Sequence, residues 1–183
     1  NGIETMTPKL FSSRDGSPAR AGLALAKLHN SGETFDFRFD LFNMIDDYLK
    51  ILSSKNAELP DGYHEIVQAA KPVKLALEAN PITLAPCHCD PLCENFLDDG
   101  EKMWIVDWEY SGMNDPLWDL GDLSVEASMN QDQENEMLIA YFGKEPNEAQ
   151  RGRVIIYKAM CDLLWTLWGL IQHADKNPAE DFW

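Results

Sequence analysis

The chain has 183 residues, a formal net charge of −16, and 45% hydrophobic and 10% aromatic residues. That length and apolar content suit one globular domain, or one and a piece of another, and exclude a disordered chain. A surface this acidic disfavours nucleic acid and anionic lipid as partners and favours small cations.

The first residues open irregularly. Ser17 is expected to cap a helix with Pro18 in its first turn, and apolar positions Leu23, Ala26 and Leu28 continue it until Gly32. "RFDLFNMIDDYLKILSSKN" places Phe39, Phe42, Ile45, Leu49 and Leu52 on one face of a second helix. "DGYHEIVQAAKPVKLALEAN" gives a third, kinked or interrupted before Pro72. The texture then changes. "ITLAP" predicts a short strand, "ENFLDDG" a strand into a turn, and "EKMWIVDW" a returning strand, with Asp99-Gly100 as the hairpin signal.

Helices return from Asp115-Pro116, an N-cap followed by proline at the first helical position. They run through "PLWDLGDLSVEAS", then "QDQENEMLIAYFG" closed by Gly143, then a long apolar helix from an Asn147 cap. No secretory leader and no apolar run long enough to span a bilayer stands out, so a soluble, cytoplasmic protein is expected. The expected fold class is α+β, predominantly helical, with a small β-hairpin between the helical halves.

The chemistry concentrates in "CHCDPLCENF". Cys87, His88, Cys89 and Cys93 are ligand types for zinc, yet structural zinc sites take two separated pairs and no second pair exists. A catalytic thiol lacks an identifiable base and oxyanion donors. The cysteines are expected to be free packing residues in a reducing compartment.

The oxygen and amide side chains form a more specific pattern. His88-x-Asp90-x4-Asn95 has the spacing of a kinase catalytic loop, in which a carboxylate accepts the proton of an attacking hydroxyl and an amide holds magnesium. A second carboxylate should arrive on the adjacent hairpin strand, and "IVDWEY" supplies Asp107 with Glu109 two residues on. Such a set suits magnesium, which takes a few carboxylate oxygens plus phosphate and water. The plainer reading makes Asp90 and Asn95 turn caps and Asp107 and Glu109 solvated strand-end residues.

"CHCDPLCENFL" followed by "WIVDWEYSGMNDPLWDLGDLSVE" resembles the choline/ethanolamine kinase family, in particular the bacterial choline-kinase-like branch of the aminoglycoside phosphotransferase superfamily. "LLWTLWGLIQ" resembles that family's tryptophan-rich helix. The resemblance runs from "LAKLH" onward. It implies a protein-kinase-like fold, ATP and Mg2+ as cosubstrates, and transfer of the γ-phosphoryl group to the hydroxyl of choline or a related amino alcohol. It further implies Asp90 as catalytic base, Asn95 and Asp107 as magnesium ligands, and Glu109 supporting the metal or the substrate. His88, Asp119 and Asp122 would be support residues. Tyr110, Glu126, Trp165 and Trp168 would surround the substrate's ammonium group, and aromatic faces with a nearby carboxylate suit a cation that cannot donate hydrogen bonds.

Two departures accompany the resemblance. The family loop usually has asparagine where this chain has Cys89, and an apolar residue where it has Pro91. No Gly-rich loop or strand lysine with its glutamate precedes "LAKLH", so residues 1–183 are expected to be the C-terminal lobe, without the nucleotide-clamping lobe. An aminoglycoside-type kinase and a non-catalytic quaternary-ammonium-binding module are the alternative functions. The oligomeric state is open.

Overall fold

The computed structural model describes residues 2–179 and 181–183. The chain divides into two compact units, Asn1–Phe39 with Thr83–Lys158, and Asp40–Ile82 with Ala159–Trp183.

In the first unit, β1 (Glu4–Thr5) and α1 (Pro8–Ser13) stand where the sequence suggested irregular chain, and the expected helix follows as α2 (Ser17–His29). A two-residue strand has no sequence signature of its own. It exists because it pairs antiparallel with β3 (Phe96–Asp98), Glu4 opposite Asp98. The Thr7 hydroxyl accepts from Leu10 N and starts α1. Ser17 is the first helical residue of α2 and not its cap; that place falls to Gly16 at φ 73. Left-handed backbone there favours glycine over a hydroxyl cap.

The predicted hairpin is present: β3 pairs antiparallel with β4 (Met103–Ile105), Phe96 opposite Ile105. Asp99 Oδ1 accepts from Glu101 N and Lys102 N across the turn, and Gly100 adopts φ 92. The strand expected in "ITLAP" falls later, at β2 (Ala85–Cys87). It pairs antiparallel with β5 (Gly112–Asn114), which the sequence did not disclose. Three residues of each strand form because the other is there to pair with, not because residues 82–84 are apolar.

Buried Asp98 is the electrostatic anchor of this sheet. Its carboxylate accepts from Arg20 Nε at 2.9 Å, Arg20 Nη2 at 2.6 Å and Gly100 N at 2.9 Å, with Arg14 in ion-pair range. Burial opposes the charged form, but the Arg20 bonds, the Gly100 N–H and Arg14 outweigh it and hold the carboxyl below its usual range. A depressed carboxylate stabilises the fold above its unfolded pKa, about 4, and loses that contribution as pH falls through the depressed value. Asp98→Asn is therefore expected to flatten the acid limb of the stability–pH curve, and Asp98→Ala to cost about 3 kcal/mol. Acid titration of wild type and both variants by circular dichroism checks this; an unchanged limb in Asp98→Asn would refute it.

Two glycines mark close helix approaches. A Cβ on Gly22 would sit 2.3 Å from the Met137 carbonyl oxygen, where α2 meets α6 (Gln131–Phe142). At Gly121 it would meet Tyr157 Cβ at 2.9 Å, where α5 (Leu117–Glu126) meets α7 (Glu148–Ala174). The helix starting at Asp115-Pro116 begins one residue later than expected, but the Asp115 carboxylate still accepts from Leu117 N. Asn130 and Gln133 form a capping box on α6, Gly143 closes it at φ 64, and Asn147 and Gln150 bond reciprocally at the head of α7.

The second unit contains α3 (Leu41–Lys55), α4 (Tyr63–Ala79) and the rest of α7 with the tail. Asp40 caps α3 through Asn43 N, so Phe39 precedes the helix; it packs instead on Trp118 in the first unit, ring centroids 5.2 Å apart. Helix α4 runs unbroken through Pro72, contrary to the expected interruption. By length and composition α7 is long enough and apolar enough to cross a membrane, which also departs from the expectation. Its Val154, Met160, Leu164, Leu167 and Ile171 are buried within the protein.

Candidate active site

Apart from the tryptophans, the site candidates lie in the first unit: His88, Asp90, Asn95, Asp107, Glu109 and Tyr110 on the two connections that the small sheets hold together, and Asp119, Asp122 and Glu126 on α5. Residues 88–92 leave β2, a 3-10 turn at Cys93–Asn95 follows, and β3 begins at Phe96. The Asn95 side-chain nitrogen donates to the Asp90 carbonyl at 3.0 Å. That bond fixes the amide's orientation and leaves its oxygen as the remaining ligand atom.

Val106 couples the loop to the second carboxylate. Its N–H donates to the Asn95 carbonyl at 2.9 Å, and its own carbonyl lies 2.9 Å from His88 Nε2. A carbonyl only accepts, so Nε2 carries the proton. Among the described residues His88 Nδ1 has no hydrogen-bond partner. The His88 ring also packs on Trp108, centroids 5.2 Å apart. The next residue after Val106 is Asp107, at φ 64, a conformation that Asp tolerates better than most side chains.

Asp90 is partly buried, whereas Asp107 and Glu109 are exposed. Burial pushes the Asp90 carboxyl up to about 6, opposed by His88 and reinforced by the negative charges of Asp107, Glu109 and Asp119. The Tyr110 phenol is raised by burial and then by Glu109, Asp90 and Asp107. The structure thus brings Asp90, Asn95, Asp107, Glu109 and Tyr110 together. Among the described residues no ion pair engages Asp90, Asp107 or Glu109. An oxygen-only donor set with uncompensated negative charge fits Mg2+, which prefers carboxylate and amide oxygens and retains water.

Beneath the loop, Asp119 acts as a clamp. Its Oδ2 accepts from His88 N at 2.7 Å and its Oδ1 from Cys89 N at 2.9 Å, while His29 Nε2 lies 2.9 Å from Oδ2. His29 Nδ1 in turn meets the Tyr141 hydroxyl at 2.8 Å. Trp118 Nε1 donates to the Cys89 carbonyl, and Ser111 Oγ to that of His88. Sequence reasoning identified Asp119 but missed His29, Ser111 and Trp118. Asp115, the other anchor of α5, takes a bond from the Tyr157 hydroxyl at 2.6 Å and an ion pair from Arg153. Asp122, one turn beyond Asp119, is buried, and Glu126 at the end of α5 is near enough to Cys93 to raise its thiol.

The four cysteines are buried thiols outside any disulfide. Burial pushes the Cys93 thiol up to about 12 and those of Cys87 and Cys89 higher still, the opposite of an activated thiolate. His29, Cys87 and Asp119 offer ligand atoms within 4.8 Å of one another, but the Asp119 oxygens are already committed to the loop.

Cys89 adopts φ 70, a left-handed conformation that asparagine tolerates better than most side chains. Cys89→Val, similar in volume but β-branched, is expected to destabilise by about 2 kcal/mol, and Cys89→Asn by less. Urea unfolding of the two variants decides it; equal midpoints would exclude backbone strain as the reason.

In the second unit Trp165 and Trp168 form an edge-to-face pair, centroids 6.5 Å apart, and Phe182 continues the series 5.6 Å from Trp168. His173 and Trp183 lie 5.0 Å apart nearer the end.

Residues 6–154 match the model of the phosphotransferase enzyme family. Protein LicA of Haemophilus influenzae is 29% identical over 164 residues, covering 86% of this chain and 48% of that protein. A choline/ethanolamine kinase family protein from Mesorhizobium loti is 68% identical with a TM-score of 0.97, over 99% of this chain and 62% of that one. Choline kinase LicA from Streptococcus pneumoniae, at 23% identity and a TM-score of 0.81, shares the fold. The chain spans about half the length of the curated relatives it matches, 48% to 61%. With the family model covering most of its length, the chain belongs to the phosphotransferase enzyme family, on its choline/ethanolamine kinase-like branch.

Proposed function

We propose that this chain is the C-terminal, catalytic and substrate-binding lobe of an ATP- and Mg2+-dependent phosphotransferase whose acceptor is the hydroxyl of choline or a related small amino alcohol. The observation that carries the reading is the Val106 joint: one residue bonds to both Asn95 and His88 and delivers Asp107 to the loop that bears Asp90. A turn-capping role for Asp90, Asn95 and Asp107 does not call for that convergence.

Asp90 is the base that orients the acceptor hydroxyl and takes its proton. Asn95 and Asp107 hold the metal through oxygen, with Glu109 beside them. Bound Mg2+ would supply charge neutralisation on the nucleotide phosphates. His88 braces the loop through Val106, and Asp119 fixes the loop backbone from below, with Asp122 supporting the same helix. Tyr110, Glu126, Trp165 and Trp168 are the groups we assign to the ammonium end of the substrate, since aromatic faces and carboxylates attract a cation that offers no N–H. The resemblance of the chain to a choline/ethanolamine kinase family protein at 68% identity supports the acceptor class.

The test is ATP consumption by a protein in which this chain is joined to its nucleotide-clamping lobe, with choline, ethanolamine and an aminoglycoside as separate acceptors. Turnover with choline or ethanolamine that exceeds turnover with the aminoglycoside is the expected result. Aminoglycoside preference would move the acceptor class, and choline binding without turnover would leave a binding module. Residues 1–183 alone are expected to turn over little or no ATP.

A further inference from the structure

The second unit contains a cavity of about 490 Å3 between α4 and the carboxyl-terminal half of α7. By the helical period its α7 wall, Ala159 and Leu163 among it, lies on the opposite side of that helix from Trp165 and Trp168. The phosphotransfer residues take no part in it. Its size is that of a small-molecule site and is too small for a docked domain. The walls are apolar and left open: Ile66, which lines it, is 59% exposed.

The charged groups of the cavity all carry one sign. Asp61 and Asp162 line it, both are exposed, and no lysine or arginine does. Among the described residues neither carboxylate has an ion-pair partner. Tyr63 adds an aromatic ring and Thr166 a hydroxyl. An apolar chamber with two uncompensated carboxylates and one aromatic ring is complementary in charge and surface to an ammonium group on an apolar body. Lipid anions and phosphorylated compounds would be repelled, and a second copy of the chain would bring another net charge of −16 to the same face.

We propose that this cavity is a second binding site, distinct from the phosphotransfer site, for a small amphipathic organic cation. It offers a way for an amine other than the phosphoryl acceptor to be sensed by the helical unit.

The probe is 2-phenylethylammonium, with 2-phenylethanol as its neutral counterpart, titrated into the full chain while the methyl resonance of Met160, a wall residue, is followed by NMR. A saturable shift of that resonance with the amine, and a weaker one with the alcohol, is expected. Asp61→Asn with Asp162→Asn should weaken amine binding about fivefold and leave the alcohol unchanged. Ala69→Trp, at an exposed lining position, should fill the cavity and abolish the shift while far-UV dichroism and Tm hold. No saturable shift, equal binding of alcohol and amine, or binding retained in Ala69→Trp would each overturn the proposal. A Met160 shift that depends on protein concentration alone would overturn it too, by making the face a self-association surface.

Discussion

Replacing Asp90 by alanine is expected to lower acceptor-dependent kcat about a thousandfold, with little change in stability. The stability expectation follows from its setting. The loop is held through backbone groups, the Asp90 carbonyl to Asn95 and Leu92 and the Cys89 carbonyl to Trp118, none of which needs the Asp90 carboxylate. Burial and three neighbouring carboxylates raise that carboxyl, so its removal relieves repulsion as well as deleting a base. Asp90→Asn keeps the shape and removes the basicity, and should fall as far as Asp90→Ala. If Asp90→Asn retained most of the turnover, the residue would position the acceptor rather than accept its proton. Initial rates at saturating ATP, together with thermal melts of both variants, separate the two.

Asp119→Ala should strike stability and catalysis together. One carboxylate serves the His88 and Cys89 amides and the His29 ring, and all of these are buried. Removing it strands three donors, for about 3–5 kcal/mol. Asp119→Asn is an informative intermediate, because an amide keeps one acceptor oxygen and turns a donor toward the other amide it should serve. The expected order of unfolding free energies is wild type, Asn, then Ala. Activity measured well below the midpoint of each variant should remain reduced, since the loop backbone that carries Asp90 has lost its floor. Full activity in folded Asp119→Asn would reduce the clamp to a stability device.

How far the sequence disclosed this arrangement depended on the range of the forces involved. The β3–β4 hairpin was legible because Asp99-Gly100 is a local turn signal between apolar runs. The Asn147 and Gly143 helix limits were legible for the same reason. Strands β1 and β5 were not, since each forms only against a partner far along the chain. In the site, Asp90, Asn95 and Asp107 could be named from spacing, and the structure draws them together. His29 could not be named, because a histidine at the end of an amphipathic helix carries no local mark of a carboxylate 90 residues away. Gly121 falls between these cases: its motif was visible, but its reason, the approach of α5 to Tyr157, is tertiary.

The reach of the Asp119 clamp also bears on how the protein comes into being. Its partners stand 30, 31 and 90 residues away in the chain, so the loop cannot be ordered until α2, β2 and α5 have all been gathered. Closing separations of that size is entropically costly and slow compared with forming helices. Helices α6 and α7, each started by its own local cap, can form well before that meeting. Order in the loop that carries Asp90 is thus a late acquisition on the folding route, gained after most of the secondary structure is in place and lost early when the molecule begins to open.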